Sequence, residues 1–171
     1  EPGFIFTDNL EFTYNPCVEV GMLPVDQDTG DSGWQGCNLC EISGATCTDK
    51  ESFIEACKVA SILGTLQAGY TNFEYLTEAS RKIFEKEALI GVSITGWMNN
   101  PEVLFDKENM IAGAEEVKKW NKIVSEMIGI NQAARCTAVK PSGNASVLLI
   151  TSSGIHGEHS KRYFRNVQMN E

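Results

Sequence analysis

Asn15, Cys17 and Glu19 stand at alternate positions in the stretch Asn15-Pro16-Cys17-Val18-Glu19. In an extended segment, alternate side chains project to the same side. The trio then offers a hydrogen-bonding amide, a nucleophilic or one-electron sulfur and a general base, a set suited to a polyhydroxylated substrate. Read singly, each has a plainer role: a structural thiol, a turn residue and a solvated carboxylate. A second thiol segment, Gly36-Cys37-Asn38-Leu39, follows, with Cys37 twenty positions after Cys17. Cys37-x-x-Cys40 reads either as a redox pair or as half of a zinc site. Zinc is the poorer fit, since there is no second Cys-x-x-Cys and His156 and His159 lie more than a hundred residues further on. The third piece is Lys140-Pro141-Ser142-Gly143-Asn144-Ala145-Ser146. It reads as an ordinary strand-to-helix turn, or as a phosphate cradle in which the Ser142 and Ser146 hydroxyls join backbone amides of Gly143, Asn144 and Ala145 at a positive helix end.

The elements that must position these residues are legible from periodicity and punctuation. Residues 3–7 read as a strand, 15–22 as an extended segment or loop, and 26–33 as a Gly/Asp-rich turn. Thr48-Asp49-Lys50-Glu51 fits a capping box, after which Phe53, Cys57, Ala60 and Leu63 recur at helical spacing. A second helix is predicted over 74–87 with Leu76, Ala79 and Ile83 inward, then a buried strand over 89–95. A third helix, 106–128, carries the stripe Met110, Ala114, Val117, Val124 and Ile128 and stops at Gly129. Residues 136–139 read as another strand. Strands alternating with long helices indicate an α/β fold with a largely parallel sheet.

Composition sets bounds on function. The 171 residues are 42% hydrophobic and 22% charged, as expected of a globular protein able to bury one core. A net charge of -9 argues against a nucleic-acid groove or an anionic membrane surface as partner, so any nucleotide is held locally. The apolar run Val147 to Ile150 is far too short to cross a membrane. Six irregularly spaced cysteines without a signal peptide in the chain point to reduced thiols in the cytoplasm. The chain has no initiator Met, and its first and last residues read as strands entered or left midway, which suggests a piece of a larger protein.

These segments, in this order, resemble the large catalytic subunit of ribonucleotide reductases. The likeness runs from Glu1-Pro2-Gly3-Phe4 through Asn15-Pro16-Cys17-Val18-Glu19 and Cys37-Asn38-Leu39-Cys40-Glu41-Ile42 to Ser153-Gly154-Ile155-His156 and Arg162-Tyr163-Phe164-Arg165. The Lys-Pro-Ser-Gly form at 140–143 is most similar to the adenosylcobalamin-dependent class. The oxygen-dependent class, with its radical from a separate metal-containing subunit, is the nearest alternative; a non-enzymatic thiol-rich zinc module is another. The resemblance implies a ten-stranded α/β barrel with a central catalytic loop, of which residues 1–171 would be one part of a single catalytic domain, incomplete at both ends. It implies that Cys17 becomes a thiyl radical abstracting the ribose 3'-hydrogen, that Glu19 is the base for the 3'-hydroxyl and that Asn15 binds substrate hydroxyls. Cys37 would be one of two reducing thiols, its partner lying upstream of this chain. Ser142, Gly143, Asn144, Ala145 and Ser146 would bind the substrate phosphates, although the family commonly has Thr where Asn144 stands. Adenosylcobalamin would be the cofactor, with a ribonucleotide substrate and a thiol reductant such as thioredoxin as partners. No metal-ligating residues are assigned. Cys40, Cys47, Cys57 and Cys136 are assigned to packing.

Overall fold

The computed structural model describes residues 13–141, 144–158, 160, 162, 164, 166 and 169. The strand expected over 3–7 lies outside these residues, as do Ser142, Gly143, His159 and most of the tail beyond it.

At the centre are two parallel strands, β3 (Asn38–Ser43) and β4 (Ile90–Thr95), paired in register from Asn38 with Ile90 to Ser43 with Thr95. Every residue of β4 is buried, as a central parallel strand requires. The strand predicted over 136–139 is reduced to one parallel bridge, Thr137 with Val92, flanked by hydrogen bonds from Val92 N to Cys136 O and from Ala138 N to Val92 O. The described residues form no closed barrel. Ahead of the sheet, β1 (Thr13–Tyr14) and β2 (Gly21–Met22) make a short antiparallel hairpin.

One face of the sheet is covered by a long helix, α1 (Lys50–Ala68), against which a second long helix, α4 (Lys107–Ile128), packs. Helix α1 begins at Asp49, whose carboxylate accepts from Ser52 N while the Ser52 hydroxyl accepts from Asp49 N, so the capping box sits one residue later than the sequence suggested. Phe53, Cys57 and Ala60 are buried against the sheet and α4 as predicted, whereas Leu63 points out; Gly64 takes the inward place instead. A methyl group at Gly64 would lie 3.3 Å from Cys40 Sγ, and one at Gly113 would lie 2.6 Å from the Phe53 ring. These two glycines let α1 approach the sheet and α4 approach α1. A buried polar chain ties the helices: Ser61 Oγ donates to Val117 O, Thr65 Oγ1 to Ser61 O, and Asn121 Nδ2 to Thr65 Oγ1. All three side chains are satisfied internally, which removes the cost of burying them.

Helix α4 follows the predicted bounds closely, capped by Asp106 and ended by Gly129 in the left-handed region. Val117 and Val124 are buried, but Ile128 in its last turn is exposed. Helix α2 (Glu78–Glu87) starts four residues later than predicted because Thr77 caps it; Leu76 therefore lies outside the helix and exposed, while Ile83 is buried. The other α-helices among the described residues are short, α3 (Pro101–Leu104) and α5 (Ala145–Leu149).

Candidate active site

The opposite face of the sheet carries a different set of residues. Cys37, immediately before β3, alternates with Leu39 and Glu41 along that strand, and Gly91 and Ser93 are the register partners of Leu39 and Glu41 on β4. A methyl group at Gly91 would lie 2.6 Å from Leu39, 3.1 Å from Cys37 Sγ and 3.5 Å from Ala138, so the side chains here meet across a glycine. Val20, Met22 and Leu89 close over this face, seating the β1–β2 hairpin upon it.

The hairpin decides between the two backbone forms expected of residues 15–22. Residues 15–19 are not extended but fold into a turn, in which Val18 N donates to Asn15 O at 2.9 Å and Val18 adopts φ of 64°. A β-branched residue in the left-handed region is strained by about 1–3 kcal/mol. The turn is held by Asn15, whose Oδ1 accepts from Val20 N at 3.0 Å. Of the two alternatives for 15–22, an extended segment or a loop, residues 15–19 take the second, so side-chain alternation does not describe them.

Even so, Asn15, Cys17, Glu19 and Cys37 all line one open cavity of about 830 Å³, together with Tyr14, Trp34, Gln35 and Leu39. Cys17 is exposed near the turn's tip and Cys37 half-buried in the cavity wall. Burial, with the Glu19 and Cys40 charges behind it, pushes the Cys37 thiol up to about 12, which keeps it protonated at neutral pH. Both Glu19 oxygens are buried and accept no hydrogen bond from the described residues. Such a carboxylate has its acceptor capacity free for an incoming group.

Cys40 lies on the other face, its sulfur against α1 at Gly64, so Cys37 and Cys40 do not converge on one ion or on each other. Among the described residues no group of three or more His, Cys, Asp or Glu is placed to hold a metal ion. Cys47 and Cys57 are buried and Cys136 half-buried.

Of the expected phosphate cradle, Asn144, Ala145 and Ser146 fall within the described residues. Ser146 is buried in α5 and Asn144 is exposed at its start, without a side-chain cap. Trp34, Gln35 and Glu41 escaped the sequence reading. The signal for Glu41 was its two-residue spacing from Leu39 and four from Cys37, which puts all three on one face of a strand; nothing in the sequence marked Trp34 or Gln35.

The chain is 30% identical over 91% of its length to an adenosylcobalamin-dependent ribonucleoside-triphosphate reductase of Lactobacillus acidophilus. It is similar to part of that reductase family. A probable reductase of the same name from Dictyostelium discoideum is 21% identical over 99% of the chain, and one from Lactobacillus helveticus 26% identical over 87%. The chain spans 22–23% of the length of these curated relatives. Neither a protein-family model nor a solved structure matches it. No helix among the described residues is long and apolar enough to cross a membrane.

Proposed function

We propose that this chain is part of the catalytic core of a ribonucleotide reductase that uses adenosylcobalamin and converts ribonucleotides to 2'-deoxyribonucleotides. The observation that carries the reading is the convergence of Asn15, Cys17, Glu19 and Cys37 on one cavity from a hairpin and a separate strand. In this reading Cys17, as a thiyl radical, takes the 3'-hydrogen of the ribose. Glu19 accepts the proton of the 3'-hydroxyl, for which its unengaged oxygens are suited. Asn15 has its carbonyl committed to Val20 N and would meet substrate hydroxyls through its amide NH2. Cys37, held as a thiol, gives up its hydrogen in the reduction and forms a disulfide with a thiol supplied from outside this chain; a thiol reductant such as thioredoxin then restores both. Residues 142–146 bind the substrate phosphates, and the relatives' names favour a triphosphate.

Adenosylcobalamin, when bound, supplies a carbon-centred radical that generates the thiyl form of a cysteine. Cys17 is exposed and lines the cavity, so its sulfur would be open to such a group. No described residue is assigned to hold the corrinoid.

The decisive variant is Cys17→Ser in the full-length enzyme with adenosylcobalamin. An oxygen at this position gives a much stronger bond to hydrogen, so turnover is abolished while nucleotide affinity is retained. Deoxynucleotide production by this variant overturns the reading.

A further inference from the structure

One large side chain of the cavity has no part in the chemistry above. Trp34 lines the same space as Asn15, Cys17, Glu19 and Cys37, and it is 69% exposed. An indole held so far in water forgoes the stabilisation that its burial would bring. The backbone that carries it, by contrast, is tightly held.

Residues 33–36 belong to no strand or helix, yet they are fixed to one stripe of α2. Trp34 N donates to the hydroxyl of buried Ser80 at 2.9 Å, and Thr77 Oγ1 stands 2.9 Å from that same hydroxyl. Gln35 Nε2 donates to Glu87 Oε2 at 3.0 Å, while Gln35 Oε1 accepts from Gly36 N at 2.9 Å. On either side the chain presses so close that only glycine fits. A methyl group at Gly33 would lie 2.8 Å from Ser80 N and from Ile83 Cδ1, and one at Gly36 would lie 2.7 Å from the Phe84 ring. Ser80, Ile83, Phe84 and Glu87 follow the i, i+3, i+4, i+7 spacing of a single helix face. Helix α2 is thus a mount, and it fixes the chain before and after Trp34 while leaving the indole open.

We infer that Trp34 is the platform on which the base of the ribonucleotide stacks while its ribose lies at Cys17 and Glu19. The inference rests on the function proposed above. Of the three parts of a ribonucleotide, the ribose is taken by the hairpin's polar groups and the phosphates need hydrogen-bond donors. The flat base is the part that suits an indole face. Every base has such a face, so stacking is strong without depending on which edge the base presents. A fixed backbone adds to this, because a platform already in place loses little freedom when the ligand arrives. The cavity, about 830 Å³, is of the size that takes a small ligand.

The test uses full-length enzyme with adenosylcobalamin, ATP and CTP as substrates, and ribose 5-triphosphate, which has no base, as a competitive inhibitor. Trp34→Leu raises KM for both substrates, on the order of tenfold to a hundredfold, and leaves the inhibition constant of ribose 5-triphosphate where it was. The loss falls on KM rather than on kcat, since the stack is remote from the reacting atoms. Trp34→Phe, which keeps a smaller ring, raises KM by a smaller factor. A residue that only shapes the cavity weakens substrate and inhibitor alike, and that result overturns the inference, as does an unchanged KM. Should Trp34→Leu not fold, Trp34→Phe decides alone: a substrate KM that holds, or an inhibition constant that rises with it, overturns. Cys17→Ser separates this from the underlying reading. If that variant still makes deoxynucleotide, both fall; if it does not and Trp34→Leu leaves KM in place, only the inference falls.

Discussion

The two faces of the β3–β4 sheet are made from alternate residues of the same strands, yet they obey different rules. On the helix side Cys40, Ile42, Val92 and Ile94 share one apolar cluster with Phe53, Cys57 and Val117, beside a smaller, mostly apolar cavity of about 380 Å³ between α4 and the sheet, and the polar side chains Ser61, Thr65 and Asn121 there are all hydrogen-bonded. On the hairpin side the strands present Cys37, Glu41, Gly91 and Ser93, a cavity stands open, and the carboxylates of Glu19 and Glu41 lack hydrogen bonds among the described residues. Stability is concentrated where every group has a partner. Chemistry needs the reverse, groups with unspent capacity, and one sheet supplies both because its side chains alternate.

Exchanging cysteines across the sheet tests this contrast most severely. In the full-length enzyme Cys37→Ser stalls multiple-turnover reduction by removing one of two reducing thiols, with little change in melting temperature. Cys40→Ser does the opposite, lowering the melting temperature while surviving enzyme turns over at a near-normal rate. If the two variants exchange phenotypes, the assignment of the faces is wrong.

Next in size is the helix side itself. Phe53 is 2% exposed and pressed against Gly113, so Phe53→Ala leaves a void and costs about 3–5 kcal/mol in denaturant unfolding. A loss under about 1 kcal/mol would mean that this layer is not the packed one.

Thiol alkylation followed by mass spectrometry sharpens the comparison residue by residue. Exposed Cys17 reacts first, and buried Cys47 and Cys57 last. Because the Cys37 and Cys57 thiols are both pushed up to about 12, their rates keep climbing as pH rises through 11, where an ordinary thiol has already levelled off. A Cys37 rate that levels off near pH 9 would count against a protonated reductant.

The smallest effect belongs to the helix cap. Asp49→Ala removes the side-chain half of the capping box of α1, leaving the backbone N–H of position 49 to donate to the Ser52 hydroxyl, and costs about 1 kcal/mol without touching turnover. A change in turnover here would show that the two faces are coupled.

What could be read from the sequence divides along the same line. Helix α4 was legible because its apolar stripe and its Asp106 and Gly129 ends all agree, and β4 because a buried run between turns has few other meanings. The inward face of α1 was misjudged at Leu63, since periodicity ranks residues by apolarity and cannot know that contact with Cys40 requires a glycine at 64. The candidate residues could be singled out from the sequence, but the shape of the segment carrying three of them could not. Asn15, Cys17, Glu19 and Cys37 reach one cavity, yet the turn that brings the first three there is set by tertiary contacts, and Val18 gives no local sign of it. Glu41 and Lys140 were quoted within motifs, but the approach of Lys140 Nζ to 3.8 Å from Glu41 Oε1 depends on a register between segments far apart in the chain, beyond what spacing alone can show.

The left-handed Val18 has a consequence for the order of events in folding. A hairpin with two paired positions on each strand is too short to stand alone, and a valine at its turn penalises the observed backbone further. Only when Val20 and Met22 have docked on the sheet, against Leu89 and Leu39, is the turn compensated. Cys17, the thiol proposed to carry the radical, is therefore presented after the framework that must contain it, so a half-folded chain does not carry the assembled cavity.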